Sequence, residues 1–172
     1  MIDLSTLMTY VAIVFGFVSI PGPATLLTVA RATSSGTKVG IATGTGIAAG
    51  DVIHTFMAII GISAIIAASA VLFNIIKYIG AAYLVYLGIR AIIEKTPAKL
   101  VVHALPITAG EAFRQAILAE ILSPKTALFF LAFLPQFVHP ENGSVTIQLT
   151  ILGSVFVLLG LVILIAQSMR RR

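Results

Sequence analysis

Apolar residues run through this chain in long unbroken blocks, with neither the alternation of a half-buried strand nor the one-sided stripe of a surface helix. Five blocks stand out. The first covers about 4–29 and is interrupted by Pro21-Gly22-Pro23. The second covers about 39–66 and carries Asp51 and His54. A weakly polar turn around 67–74 leads to the third, which ends near 93. The fourth covers about 111–138, and the fifth about 146–169. A helix needs about 20 apolar residues to cross a bilayer, so each block is read as a membrane span.

Breakers and caps mark the connections. Pro97 and Pro106 punctuate the long polar stretch 94–110. Thr108, three residues before Glu111, forms a capping box that opens the fourth helix. Pro140 and Asn142-Gly143 mark the turn before the fifth. The expected fold is an all-α integral membrane protein of about five transmembrane helices, with helices 1 and 4 broken. Its 172 residues form a single transmembrane domain. The first half is about 4–93, a cytoplasmic loop about 94–110, and the second half about 111–169.

Composition agrees. Apolar residues are 59% of the chain and charged residues 10%, with a mean hydropathy of +1.09. A soluble domain carries about one quarter charged residues, so this chain has too few to coat a water-facing surface. No cysteine is present, which excludes a disulfide framework, a thiolate metal site and a thiol relay. Three scattered histidines make a poor metal-ligand set, and no metal or cofactor is expected. The net charge of +5 comes from Lys and Arg scattered singly, apart from Arg170–Arg172, without aromatic stacking platforms. Nucleic acid is therefore not an expected partner; the lipid bilayer is.

The basic residues report orientation. Arg31 and Lys38 flank the first connection, Arg90, Lys95 and Lys99 lie in or beside the third, and Arg170–Arg172 end the chain. The second and fourth connections contain none. Cationic loops stay in the cytoplasm, so the N-terminus is expected outside and the C-terminus inside. The N-terminus lacks the basic region of a cleavable signal, so the first block is expected to remain as a helix. Lys77, close to the outer edge, can extend to the interface and is assigned no role.

Chemistry concentrates where lipid should be. Pro21, Gly22 and Pro23 break the first helix, because each proline removes a donor and clashes with the preceding turn. The freed carbonyls need protein, water or ligand as partners. Asp51 lies about 18 Å into its helix at 1.5 Å per residue, too deep for a short carboxylate to reach water. An intramembrane acid marks a substrate or proton site by default. Ser123, Pro124 and Lys125 break the fourth helix at similar depth, with Glu120 one turn earlier. A purely structural Lys125–Asp51 or Lys125–Glu120 ion pair is the alternative. His54 is one turn from Asp51 on the same face and is read as a packing residue. The stripe Gly36, Gly40, Gly44 and Ala48, beside Gly46 and Gly50, is read as a ridge where helix backbones approach closely.

The breaks fall in the first helix of each three-helix half, and an odd number of spans per half inverts the second. Broken helices at matching positions of inverted repeats point to a transporter's central site. The expected substrate-binding set is therefore Pro21, Gly22, Pro23, Asp51, Glu120, Ser123, Pro124 and Lys125, with Asp51 or Glu120 as the proton-coupling group. A Ser123–Lys125 enzyme dyad is rejected, because side chains two apart on a helix do not face each other.

The chain also resembles the lysine exporter and homoserine/threonine exporter family of bacterial amino-acid effluxers. The resemblance rests on ordered motifs over about residues 7–165. These are Pro21-Gly22-Pro23, Gly46-Ile-Ala-Ala-Gly50-Asp51, Gly80-Ala-Ala-Tyr83-Leu-Val-Tyr-Leu-Gly88, Ser123-Pro124-Lys125 (where the family usually has Asn-Pro-Lys) and Phe133-Leu-Pro135-Gln136-Phe137. It implies an inner-membrane exporter of an amino acid or derivative, driven by the proton gradient, with a homodimer as a compatible assembly. Family members run to about six helices, and many have an acid in the fifth, where this chain has Gly160. The alternative implied by those departures is a truncated, non-transporting paralogue that binds or dimerises.

Overall fold

The computed structural model describes residues 2–19, 23–93 and 106–169, without the side chains of Leu87, Ala91, Ile92, Pro124 and Lys125. Among the described residues the protein is helical throughout, with no strand. The helices are α1 (Leu4–Ser19), α2 (Pro23–Ser35), α3 (Thr37–Ala68), α4 (Ala70–Ile93), α5 (Ala109–Ile121), α6 (Pro124–Phe133) and α7 (Val145–Met169). Short 3-10 turns, Leu134–Phe137 and Pro140–Asn142, connect α6 to α7.

Three helices are long and apolar enough to cross a membrane, and the count rises to five if each bent pair is one span. The pairs are α1 with α2, bent by 52°, and α5 with α6, bent by 55°. Both breaks occur where proline denies the helix a donor. The order of a broken pair followed by a long helix occurs twice, as α1/α2 then α3 and α5/α6 then α7. Pro21 and Gly22 lie outside the described residues, as do 94–105 and Arg170–Arg172.

Several boundaries differ from the hydropathy blocks for local reasons. The expected turn at 67–74 shrinks to Ser69 alone, whose hydroxyl accepts from Leu72 N–H and so starts α4 at once. Gly36 is not part of the glycine ridge: it precedes α3 with φ of 96°, a conformation that favours glycine. Thr108 accepts from Glu111 N–H while Glu111 accepts from Thr108 N–H, so the capping box forms as expected.

The glycine ridge of α3 holds the bundle together. A Cβ on Gly40 would fall 2.5 Å from Ala32 Cβ of α2, and one on Gly44 would fall 3.2 Å from Leu164 Cβ of α7. One on Gly46 would fall 2.5 Å from the Phe113 carbonyl oxygen of α5. Lipid supplies little hydrophobic drive between helices, so close backbone approach replaces it. Towards the other end, Tyr10, Phe129, Phe130, Phe133 and Phe156 form an aromatic core. The buried Tyr10 hydroxyl donates to Leu152 O at 2.8 Å, tying α1 to α7.

Candidate functional site

Asp51 is the fifteenth residue of α3, about 21 Å from the start of a helix about 48 Å long. It is 6% exposed. The crossing of α3 and α5 brings Glu120 to it: a Cβ on Gly50 would lie 2.5 Å from Glu120 Cβ and 2.8 Å from its Cγ. Glu120 acts on Asp51 electrostatically. Two carboxyl groups 69 positions apart in the chain thus share one neighbourhood only because residue 50 has no side chain.

The break between α5 and α6 is built around Glu120. Proline at 124 leaves the Glu120 carbonyl without the N–H that a continuous helix would supply from that position. Ser123 N–H donates to it at 3.0 Å. His54 Nε2 reaches it at 2.8 Å. A carbonyl oxygen only accepts, so Nε2 carries the proton. His54 is 2% exposed, and its other nitrogen, Nδ1, is buried with no partner among the described residues. The histidine read as packing is therefore a second donor, beside Ser123 N–H, to the carbonyl that the break frees. Its place three residues after Asp51 was the available signal.

A hydroxyl chain completes the arrangement. Thr126 Oγ1 lies 2.6 Å from Glu120 Oε1 and 3.0 Å from Ser123 Oγ. With the Thr126 hydroxyl donating to the carboxylate, the Ser123 hydroxyl donates to Thr126. Ser123 Oγ in turn accepts from Thr126 N–H at 3.3 Å, capping α6. The Glu120 carboxylate consequently sits at the opening turn of α6, where the helix dipole favours negative charge. Thr126 was not anticipated from sequence; a hydroxyl three residues after a serine cap was its only trace.

The first break lies close by. Ala24, next to Pro23 at the head of α2, packs against Ile47, Ala116 and Leu164. Ile47 and Ala116 each precede the two acids by one helical turn, so α2 begins about one turn from them. The structure thus assembles Asp51, Glu120, Ser123 and the start of α2 at Pro23. Pro124 heads α6, but neither its side chain nor that of Lys125 is described, and the expected Lys125 ion pairs lie outside the described residues, as do Pro21 and Gly22. Among the described residues no cluster of His, Asp and Glu could hold a metal ion.

Apolar spans, two bent helix pairs and the buried Asp51 beside the half-buried Glu120 define a multi-pass membrane protein with the fold features of a transporter. The chain belongs to the LysE family of translocators, whose family model, "LysE type translocator", matches residues 14–171. It is 37% identical over 163 residues to the uncharacterized membrane protein YrhP of Bacillus subtilis, covering 90% of this chain and 77% of that protein. It is 31% identical over 140 residues to an uncharacterized membrane protein of Vibrio cholerae, covering 81% and 68%. It is 32% identical over 139 residues to the leucine efflux protein of Salmonella typhimurium, covering 78% of this chain and 66% of that relative. No solved structure matches the chain. The family and the relatives' names point to a transporter of amino acids rather than an enzyme.

Proposed function

We propose that this protein exports an amino acid across the bacterial inner membrane, with leucine the first candidate, using the proton gradient. The observation that carries the reading is the pair Asp51 and Glu120, one buried and one half-buried, brought together beside the break between α5 and α6. Two carboxyl groups at one site give the coupling proton a place to bind. A neutral or singly charged pair that accepts a substrate ammonium releases that proton, which links binding to protonation. The substrate carboxylate is placed at the start of α2 and by Lys125, where backbone N–H groups and the dipole favour an anion. Alternation between faces is then a rocking of α1–α4 against α5–α7, with the breaks as hinges. The N-terminus lies outside and the C-terminus in the cytoplasm.

The test uses cells fed a leucine-containing dipeptide, in which the wild-type protein should lower intracellular leucine. In vesicles, Asp51→Asn keeps the side-chain volume but cannot change charge. It should lose efflux against a gradient while retaining leucine exchange. Asp51→Asn combined with Lys125→Met probes the opposite case, a structural ion pair. Uphill efflux restored in that double variant would sink the proton-coupling role.

A further inference from the structure

At the end of the bundle away from the carboxyl pair, α3 turns into α4 and the 3-10 turn Pro140–Asn142 leads into α7. A cavity of about 340 Å³ opens between them, lined by Ile66, Phe73, Asn74, Lys77, His139 and Glu141 among others. Its lining combines two chemistries. Ile66 and the buried Phe73 supply an apolar wall. Lys77, Asn74, His139 and Glu141 supply a cation, an amide, an imidazole and an anion. Sites for small molecules combine such walls with a few convergent polar groups, at volumes of roughly 300–1,000 Å³.

The backbone that carries Lys77 and His139 is held in place. Gln136 donates its amide to Lys77 O at 2.7 Å and to Ala132 O at 3.0 Å, binding α4 to the end of α6. Gln148, 2% exposed, accepts from His139 N–H at 3.0 Å and donates to His139 O at 2.9 Å. A buried amide thus clamps both backbone groups of His139, and His139 Nδ1 lies 3.3 Å from Glu141 Oε1. Gly143, at φ of 123°, turns the chain back into α7 and accepts from the same Gln148 amide. Hydrogen bonding to its own backbone, and then His139 and Lys77, hold the Glu141 carboxyl below the usual glutamate range. It is ionised at neutral pH, with the Lys77 ammonium within electrostatic reach.

We propose that this cavity is a second binding site for a zwitterionic α-amino acid, at the release end of the transport path. Lys77 and the Asn74 amide take the carboxylate, Glu141 takes the ammonium, and Ile66 and Phe73 contact an apolar side chain. Opposite charges beside an apolar wall match an apolar amino acid in three parts, where a simple anion or cation would use one. The inference rests on the exporter reading for its ligand, and on the basic-loop orientation for placing the cavity outside.

The chain has no native cysteine, so Ala70→Cys, at a lining position with no proposed ligand contact, gives a single thiol in the cavity. The purified protein in detergent exposes both ends to a polar maleimide, and the labelling rate at position 70 is measured with and without leucine. Leucine should slow labelling at least several-fold. Leucine methyl ester, which lacks the carboxylate, should protect at least tenfold less well. Adding Lys77→Gln should abolish protection and erase the difference between leucine and its ester, while Lys77→Arg should preserve both. A cysteine at Ile147, exposed on α7, should label at the same rate throughout. Labelling indifferent to leucine, or equal protection with Lys77→Gln, overturns the site. Absence of wild-type leucine efflux in vesicles, by contrast, overturns leucine as the exported substrate and leaves cavity protection as a separate result.

Discussion

Gly50→Ala is the smallest change that reaches the proposed site, and its effect follows from two distances. The new methyl would stand 2.5 Å from Glu120 Cβ and 2.8 Å from Glu120 Cγ. These atoms are the stem of the side chain, so rotating its end gives no relief and α3 and α5 must separate. Overpacking of this kind costs about 1–3 kcal/mol. Against it stands the helix preference of Ala over Gly, worth about 1 kcal/mol. Gly61 supplies the internal control, since it lies in the same helix and a Cβ there meets nothing within 4 Å. Comparing Gly50→Ala with Gly61→Ala removes the propensity term and isolates the clash. At about 2–4 °C per kcal/mol for a chain of this size, the two variants should melt about 2–12 °C apart. Circular dichroism melting in one detergent measures this, with leucine efflux recorded in parallel. Gly61→Ala should transport normally, and Gly50→Ala should not, because Glu120 carries the His54 and Thr126 hydrogen bonds with it. Equal melting temperatures with full efflux in both would refute the requirement for close approach at residue 50.

Three further outcomes are expected. His54→Phe keeps the ring against Phe130 but removes a donor from Glu120 O, at a cost of about 1 kcal/mol. Pro124→Ala returns an N–H to position 124, so His54→Phe should cost much less in that background; a thermal double-mutant cycle reads the coupling, and additive costs would refute it. Tyr10→Phe leaves the Leu152 carbonyl without its α1 donor and should lower stability by about 1 kcal/mol by the same melting assay, with no change refuting the tie. Single cysteines at Asn142 and Lys95 should label from outside and from the cytoplasm respectively, and the reverse pattern would invert the assigned orientation.

The helices and their breaks were legible from residue order alone. Runs of apolar residues demand a helical backbone in lipid wherever they fall in space, and proline breaks a helix through its own ring. The capping box at Thr108 and Glu111 is equally local, since both partners lie within one turn. The glycine ridge was legible as a ridge, but not which neighbour each glycine admits. Gly40 meets α2, Gly44 meets α7, and Gly46 and Gly50 meet α5. Those assignments depend on rotations of helices that are apolar on every side, and periodicity leaves such rotations open. The site divides in the same way. Asp51 was recognisable as an acid too deep for water and Glu120 as an acid one turn before a break, yet their meeting requires the crossing of α3 on α5. His54 was placed correctly on the face of Asp51 and read as packing, because its partner is a carbonyl 66 residues away. Lys77 looked like an interfacial lysine until the fold set Glu141 and His139 beside it. Sequence determines what each segment must bury and where its backbone lacks a partner; only the packed bundle decides which distant group supplies that partner.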